Sequence, residues 1–235
     1  MPEPSFVMVG EGHRIGTYSG GDEDNPTVVV VHGFASSTRD NWVDTGWVRD
    51  LLRAGYRVLA LDQRGHGLSD KPHEPSDYDL QVLAGDVATV LDAYLVDTAH
   101  YIGYSLGARV GWEVAGNLPD RITRVVLGGV PDGIPLARLN IDQVRALVEH
   151  DTPVTDAVTQ NYIKLVERVP GNDLRALLAI AGGSGLAQAG VLLDGSGLHP
   201  SRKGWRVEYS ADGSKRVVDG PFAEAKEMIG GFFLL

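Results

Sequence analysis

Gly103-Tyr104-Ser105-Leu106-Gly107 lies between an apolar strand-like run, Ala99 to Gly103, and a helix-like stretch from Leu106 to Ala115. That placement constrains the fold more than any other feature of the chain. A chain that passes from strand to helix in one residue must turn sharply, and glycine on both sides of the turn removes the Cβ atoms that would strike neighbouring backbone. The turn raises the Ser105 hydroxyl above the end of a sheet and sets it at a helix N-terminus. Free backbone N–H groups there favour a developing negative charge. In this strand–turn–helix context the serine is a candidate nucleophile rather than one more Gly-Ser turn.

The flanking pattern fits a sheet built around that turn. Thr27-Val28-Val29-Val30-Val31 is an uninterrupted β-branched run of the kind buried on both faces of a parallel sheet. Arg57-Val58-Leu59-Ala60-Leu61 and Thr123-Arg124-Val125-Val126-Leu127 read the same way. Between the runs, Trp47 to Ala54 predicts a helix closed by Gly55, and Leu80 to Leu95 repeats apolar residues at helical spacing. Alternating strands and helices with short connections predict an α/β fold with a mostly parallel sheet. Ahead of it, residues 6–9 and 13–18 read as an antiparallel pair around Gly10-Glu11-Gly12.

The texture changes after Gly128. Residues 136–181 predict two or three amphipathic helices, broken at Pro153 and at Pro170-Gly171, with Asn172 as a helix N-cap. Ala181-Gly182-Gly183-Ser184-Gly185 reads as a connection. Beyond it, Trp205 to Tyr209 and Lys215 to Val218 flank Ala211-Asp212-Gly213-Ser214, a hairpin signal, and 231–235 predicts a further strand beside the hairpin.

Two loops carry further polar residues. His32-Gly33-Phe34 follows the Val31 run, and Asp62-Gln63-Arg64-Gly65-His66-Gly67-Leu68-Ser69-Asp70 follows Leu61. The first is either a plain strand-ending turn or an oxyanion loop, in which the backbone N–H of Phe34 works with that of Leu106. His66 reads as a structural loop histidine.

Composition narrows the classes. The 235 residues carry a formal charge of −10, which disfavours nucleic acid and anionic membrane as partners, because phosphates would be repelled. The chain has no cysteine, which rules out disulfides, thiol catalysis and Cys-ligated metals. Met1-Pro2-Glu3-Pro4 has no basic n-region, and no run approaches the ~20 apolar residues of a membrane span, so a cytoplasmic protein is expected. The histidines show no ligand spacing, so neither a metal nor a cofactor is expected.

The three ordered motifs, over about residues 6–130, resemble the α/β-hydrolase fold family of esterases, lipases, enol-lactonases and haloperoxidase-like enzymes. The resemblance implies that Ser105 attacks an acyl carbon while the Phe34 and Leu106 amides hold the oxyanion. It also implies a helical cap, about 134–181, over the pocket. A dehalogenase would want Asp rather than Ser at position 105. The family places its acid and histidine after the serine. His199 is the only histidine downstream of the cap and so becomes the base, with Asp132 as the acid and Asp194 as the other choice.

The tail looks different. Gly197-Leu198-His199-Pro200, the hairpin, Asp219-Gly220-Pro221-Phe222 and Gly230-Gly231-Phe232 resemble part of the YCII-related (DGPF) family, small α+β modules that are often dimeric. By motif position that resemblance singles out His199 and Asp219. The expected organisation is a hydrolase core with cap over 1–183 and a β-rich α+β fragment over 184–235. The leading expectation is a serine hydrolase of carboxylic esters or lactones working through an acyl-serine, with a small-molecule ester as substrate. The alternative is a catalytically impaired chimeric or scaffold protein that forms a homodimer through its tail.

Overall fold

The computed structural model describes residues 3–129 and 138–182, together with the strands Trp205–Tyr209, Lys215–Asp219 and Phe232–Leu234. The parallel sheet forms where the β-branched runs predict it. Strands β3 (Thr27–Val31), β4 (Arg57–Leu61), β5 (Ala99–Tyr104) and β6 (Ile122–Gly128) run parallel in the order β4-β3-β5-β6. The expected antiparallel pair is present as β1 (Ser5–Met8) and β2 (Arg14–Gly20), and β2 extends the sheet beside β4.

All five residues of β3 and of β4 are buried, because helices cover both faces of the sheet. Side chains alternate across it. Val28, Val30, Val58 and Ala60 pack with Trp42 and with helix α1 (Trp47–Arg53) on one face. Val29, Val31, Leu59 and Leu61 face α2 (Leu80–Ala93) and α3 (Leu106–Asn117) on the other. The α1 helix ends as its sequence predicts, with Gly55 at φ 83°.

Helices α4 (Ile141–His150), α5 (Ala157–Glu167) and α6 (Leu174–Gly182) account for the amphipathic stretch. Asn140 caps α4 by accepting from the Gln143 amide at 3.1 Å, and Asp156 caps α5 by accepting from Thr159 at 2.8 Å. The expected cap of α6 needs correction. Asp173, not Asn172, accepts from the Arg175 and Ala176 amides, at 2.8 and 3.2 Å. The Asn172 side chain is turned elsewhere. Ala181 and Gly182, expected in a connection, are the last residues of α6.

These helices lie at the C-terminal ends of the parallel strands, the end that carries Ser105. Ala176, Leu177 and Ile180 join the main core cluster, and α6 packs against the short helix Pro75–Tyr78 in the loop that follows β4. His73 in the same loop meets Asp173 at 2.9 Å.

The hairpin pairs as expected, β7 (Trp205–Tyr209) antiparallel to β8 (Lys215–Asp219), while its turn lies outside the described residues. The last strand differs from expectation. β9 (Phe232–Leu234) pairs antiparallel with β6, from Val126↔Leu234 to Gly128↔Phe232, and not with the hairpin. The β6 edge offers a row of backbone groups, and a short apolar strand pairs with those of Val126 to Gly128. Among the described residues no helix is long and apolar enough to cross a membrane.

Candidate active site

Ser105 occupies the strand-to-helix turn with φ 53° and ψ −108°, outside the regions that an L-residue favours. Such a conformation costs about 1–3 kcal/mol and persists only where the surroundings enforce it. Both flanking glycines are enforced by contact. A Cβ on Gly103 would strike the Gly107 carbonyl, and one on Gly107 would strike the carbonyls of Val31 and His32. Tyr101 braces the turn from below, its buried hydroxyl donating to the Gly107 carbonyl at 2.6 Å. Ser105 is half-buried, and nothing among the described residues hydrogen-bonds its hydroxyl.

The His32–Ala35 loop lies against this turn. A Cβ on Gly33 would sit 3.3 Å from Ser105 Cβ, and the Gly107 amide donates to the His32 carbonyl at 3.1 Å. Around Ser105, the Ser105 amide donates to Gly128, and those of Ala108 and Arg109 donate back to the Ser105 carbonyl. In the loop, the Gly33 amide donates to Asn41 Oδ1 at 2.7 Å, and the Ala35 amide donates to His66 Nε2 at 3.0 Å. The amides of Phe34 and Leu106 have no partner among the described residues. Two neighbouring loops thus each keep one N–H in reserve.

The two loop histidines are fixed as structural groups. His66 donates from Nδ1 to the Arg64 carbonyl at 3.0 Å and accepts the Ala35 amide on Nε2. His32 donates from Nδ1 to the Gly33 carbonyl at 2.8 Å and accepts the Gln63 amide on Nε2 at 2.9 Å. Neither keeps a lone pair free for proton abstraction. Burial pushes both below the usual imidazole range, His66 to about 3, and the neighbouring His32 lowers His66 further.

The sign of the pH dependence follows from that shift. Between the folded value of His66 and the ordinary 6.5, only the unfolded chain binds the proton, so stability falls as the pH drops. Between pH 6.5 and 5 the loss from His66 alone is about 1.5 kcal/mol, and His32 acts in the same direction. Urea unfolding across this range should show the decline. A flat profile would mean that these imidazoles are not locked neutral.

The 62–70 loop is held from below. Asp62 accepts from the amides of Thr38 and Leu68 at 2.7 and 3.0 Å, and from the Tyr18 hydroxyl at 3.3 Å. Arg64 is buried and forms a two-pronged pair with Asp86 on α2, Nε to Oδ2 at 3.0 Å and Nη2 to Oδ1 at 2.8 Å. The sequence offered no signal for this pair, nor for the contact of His73 with Asp173, because the partners are far apart along the chain.

His199 and Asp132, expected as base and acid, lie outside the described residues, as do Asp194 and the 184–204 segment. Asp219 is in β8. Of groups that could hold a cation, Glu11, His13 and Asp77 bring ligand atoms within 4.8 Å of one another. Asp77 there also faces Arg64 at 3.5 Å and His13 at 3.7 Å.

Comparison with known proteins agrees with this geometry. Residues 26–174 match the model of the alpha/beta hydrolase fold, and the chain belongs to that family. Over 113 residues it is 42% identical to Epoxide hydrolase B of Mycobacterium tuberculosis, a match covering 47% of this chain and 30% of that protein. The crystal structure of Epoxide Hydrolase A from Mycobacterium thermoresistibile is 32% identical, with a TM-score of 0.52 over 66% of this chain and 47% of that one. A hydrolase from Pseudomonas aeruginosa PA01 is 25% identical, with a TM-score of 0.59 over 79% and 72% of the two chains. The matched stretch spans about a third of the length of the curated relatives.

Proposed function

We propose that this protein is a serine hydrolase of carboxylic esters or lactones, working through an acyl-serine at Ser105. The observation that carries the reading is the pair of amides, Phe34 and Leu106, that have no partner among the described residues and flank a strained serine at a helix N-terminus. When the Ser105 oxygen bonds to an acyl carbon, the carbonyl π electrons move onto oxygen. The two N–H groups and the helix dipole then stabilise that oxyanion. Collapse of the adduct expels the alcohol, and water repeats the sequence to release the acid. In this reading His199 takes the serine proton and passes it to the leaving oxygen, while Asp132 holds the imidazole in orientation. His199 is supported because it is the only histidine after α4, and because His32 and His66 have both ring nitrogens engaged.

The names of the relatives point to epoxides, and the chemistry of residue 105 separates the two substrates. A serine oxygen that opened an epoxide would be left as an alkyl ether, which water does not cleave under mild conditions, so the enzyme would stop after one event. Attack on an ester gives another ester, which water can hydrolyse. We therefore expect multiple turnovers on p-nitrophenyl acetate or butyrate and none on styrene oxide. Sustained diol formation with no ester turnover would refute the proposal. Helices α4–α6, at the strand ends beside the site, would then shape the acyl or alcohol pocket.

A further inference from the structure

Asn172 lies in the connection between α5 and α6, where its side chain does not cap the helix. Its Nδ2 donates two hydrogen bonds, to the Val166 carbonyl near the end of α5 at 2.9 Å and to the Ala35 carbonyl at 3.1 Å. Ala35 is the residue after Phe34 and stands at φ 55°, in the left-handed region that an alanine rarely adopts. Its backbone is therefore gripped on both sides, the N–H by His66 Nε2 and the C=O by Asn172 Nδ2. The Gly33 amide, one residue before Phe34, is held by Asn41. The N–H and C=O groups of Gly33 and Ala35, on either side of Phe34, are thus each bonded to a side chain, and one of those side chains belongs to the connection between α5 and α6.

The acceptor of Asn172 adds to this. Its Oδ1 is buried with no hydrogen-bond partner among the described residues. What this side chain gives the turn lies in its two donated protons. We propose that Asn172 is a positioning residue: through the Ala35 carbonyl it fixes the direction of the Phe34 amide and couples the α5–α6 connection to the oxyanion turn. This rests on the reading of Phe34 as an oxyanion donor. A shift of the helices on substrate binding would then be felt at the turn through a single side chain.

Two variants of the 235-residue protein test the coupling. Asn172→Asp keeps the shape but cannot donate, and it sets a carboxylate against two carbonyls. Asn172→Ala removes the donors without adding charge, and it serves if the aspartate variant does not fold. With p-nitrophenyl acetate, kcat should fall on the order of tenfold or more with KM within about twofold, because the oxyanion donor is misdirected only when charge develops. Hydrogen exchange read by mass spectrometry should quicken in the peptide containing Gly33–Ala35 and stay unchanged in those of β4 and β5. A kcat equal to wild type overturns the proposal whatever exchange does, since a merely structural tether would leave kcat intact. If wild type hydrolyses no ester, the functional reading fails separately, and exchange alone decides whether Asn172 holds the turn. Unaltered exchange at 33–35 then overturns the proposal, and faster exchange confined to that peptide supports it.

Discussion

Replacing Ser105 with alanine is expected to reduce ester turnover by a factor of at least about 10³, while leaving the fold intact. The size of the effect follows from what the residue supplies. In the proposed mechanism the Phe34 and Leu106 amides remain in the variant and retain some rate over water, but no covalent acyl-enzyme can form. Stability should hold, because the turn keeps its glycines and its Tyr101 brace. The strain at φ 53° stays with the backbone, since alanine has the same Cβ. Urea midpoints measured beside the kinetics separate loss of chemistry from loss of fold.

The second large effect is on stability. Asp86→Ala should cost about 3–5 kcal/mol, because it leaves the buried Arg64 guanidinium without its two-pronged partner. Among the described residues, Asp77, at 3.5 Å, is the carboxylate left beside it. Burial pushes the Asp86 carboxyl above its ordinary range while the bonds from Arg64 pull the other way, which marks a pair held by mutual need in a dry setting. Asp86→Asn keeps an acceptor for Arg64 and should lose less. Since Arg64 precedes Gly65-His66, loosening it also loosens the imidazole that holds Ala35, so activity should decline along with stability. Denaturant unfolding of the three proteins measures this, and an alanine variant within about 1 kcal/mol of wild type would contradict it.

Much of the fold was legible in the residues, and the reasons are local. Thr27 to Val31 and Arg57 to Leu61 announce strands buried on both faces, and Gly103 to Gly107 announces the turn, because each depends on its own side chains and immediate neighbours. Asn172 misled for the same reason. It is a good N-cap by type, but Asp173 beside it takes that role and frees the amide for Ala35. What holds the site together could not be read in advance. The bonds from the Ala35 amide to His66 and from the Gln63 amide to His32 join loops brought side by side only by the β4-β3 pairing. The strand at 232–234 was legible as a strand but not in its partner, since β6 and the hairpin both offered an edge.

The proposed mechanism makes Ser105 the acylated nucleophile. It is tested most directly by treating the protein with an organophosphonate ester and locating the adduct by peptide mass spectrometry. One equivalent is expected on the peptide carrying Gly103 to Gly107, at Ser105, and none in Ser105→Ala. Stoichiometric labelling of a different serine, or equal labelling of the alanine variant, would contradict it.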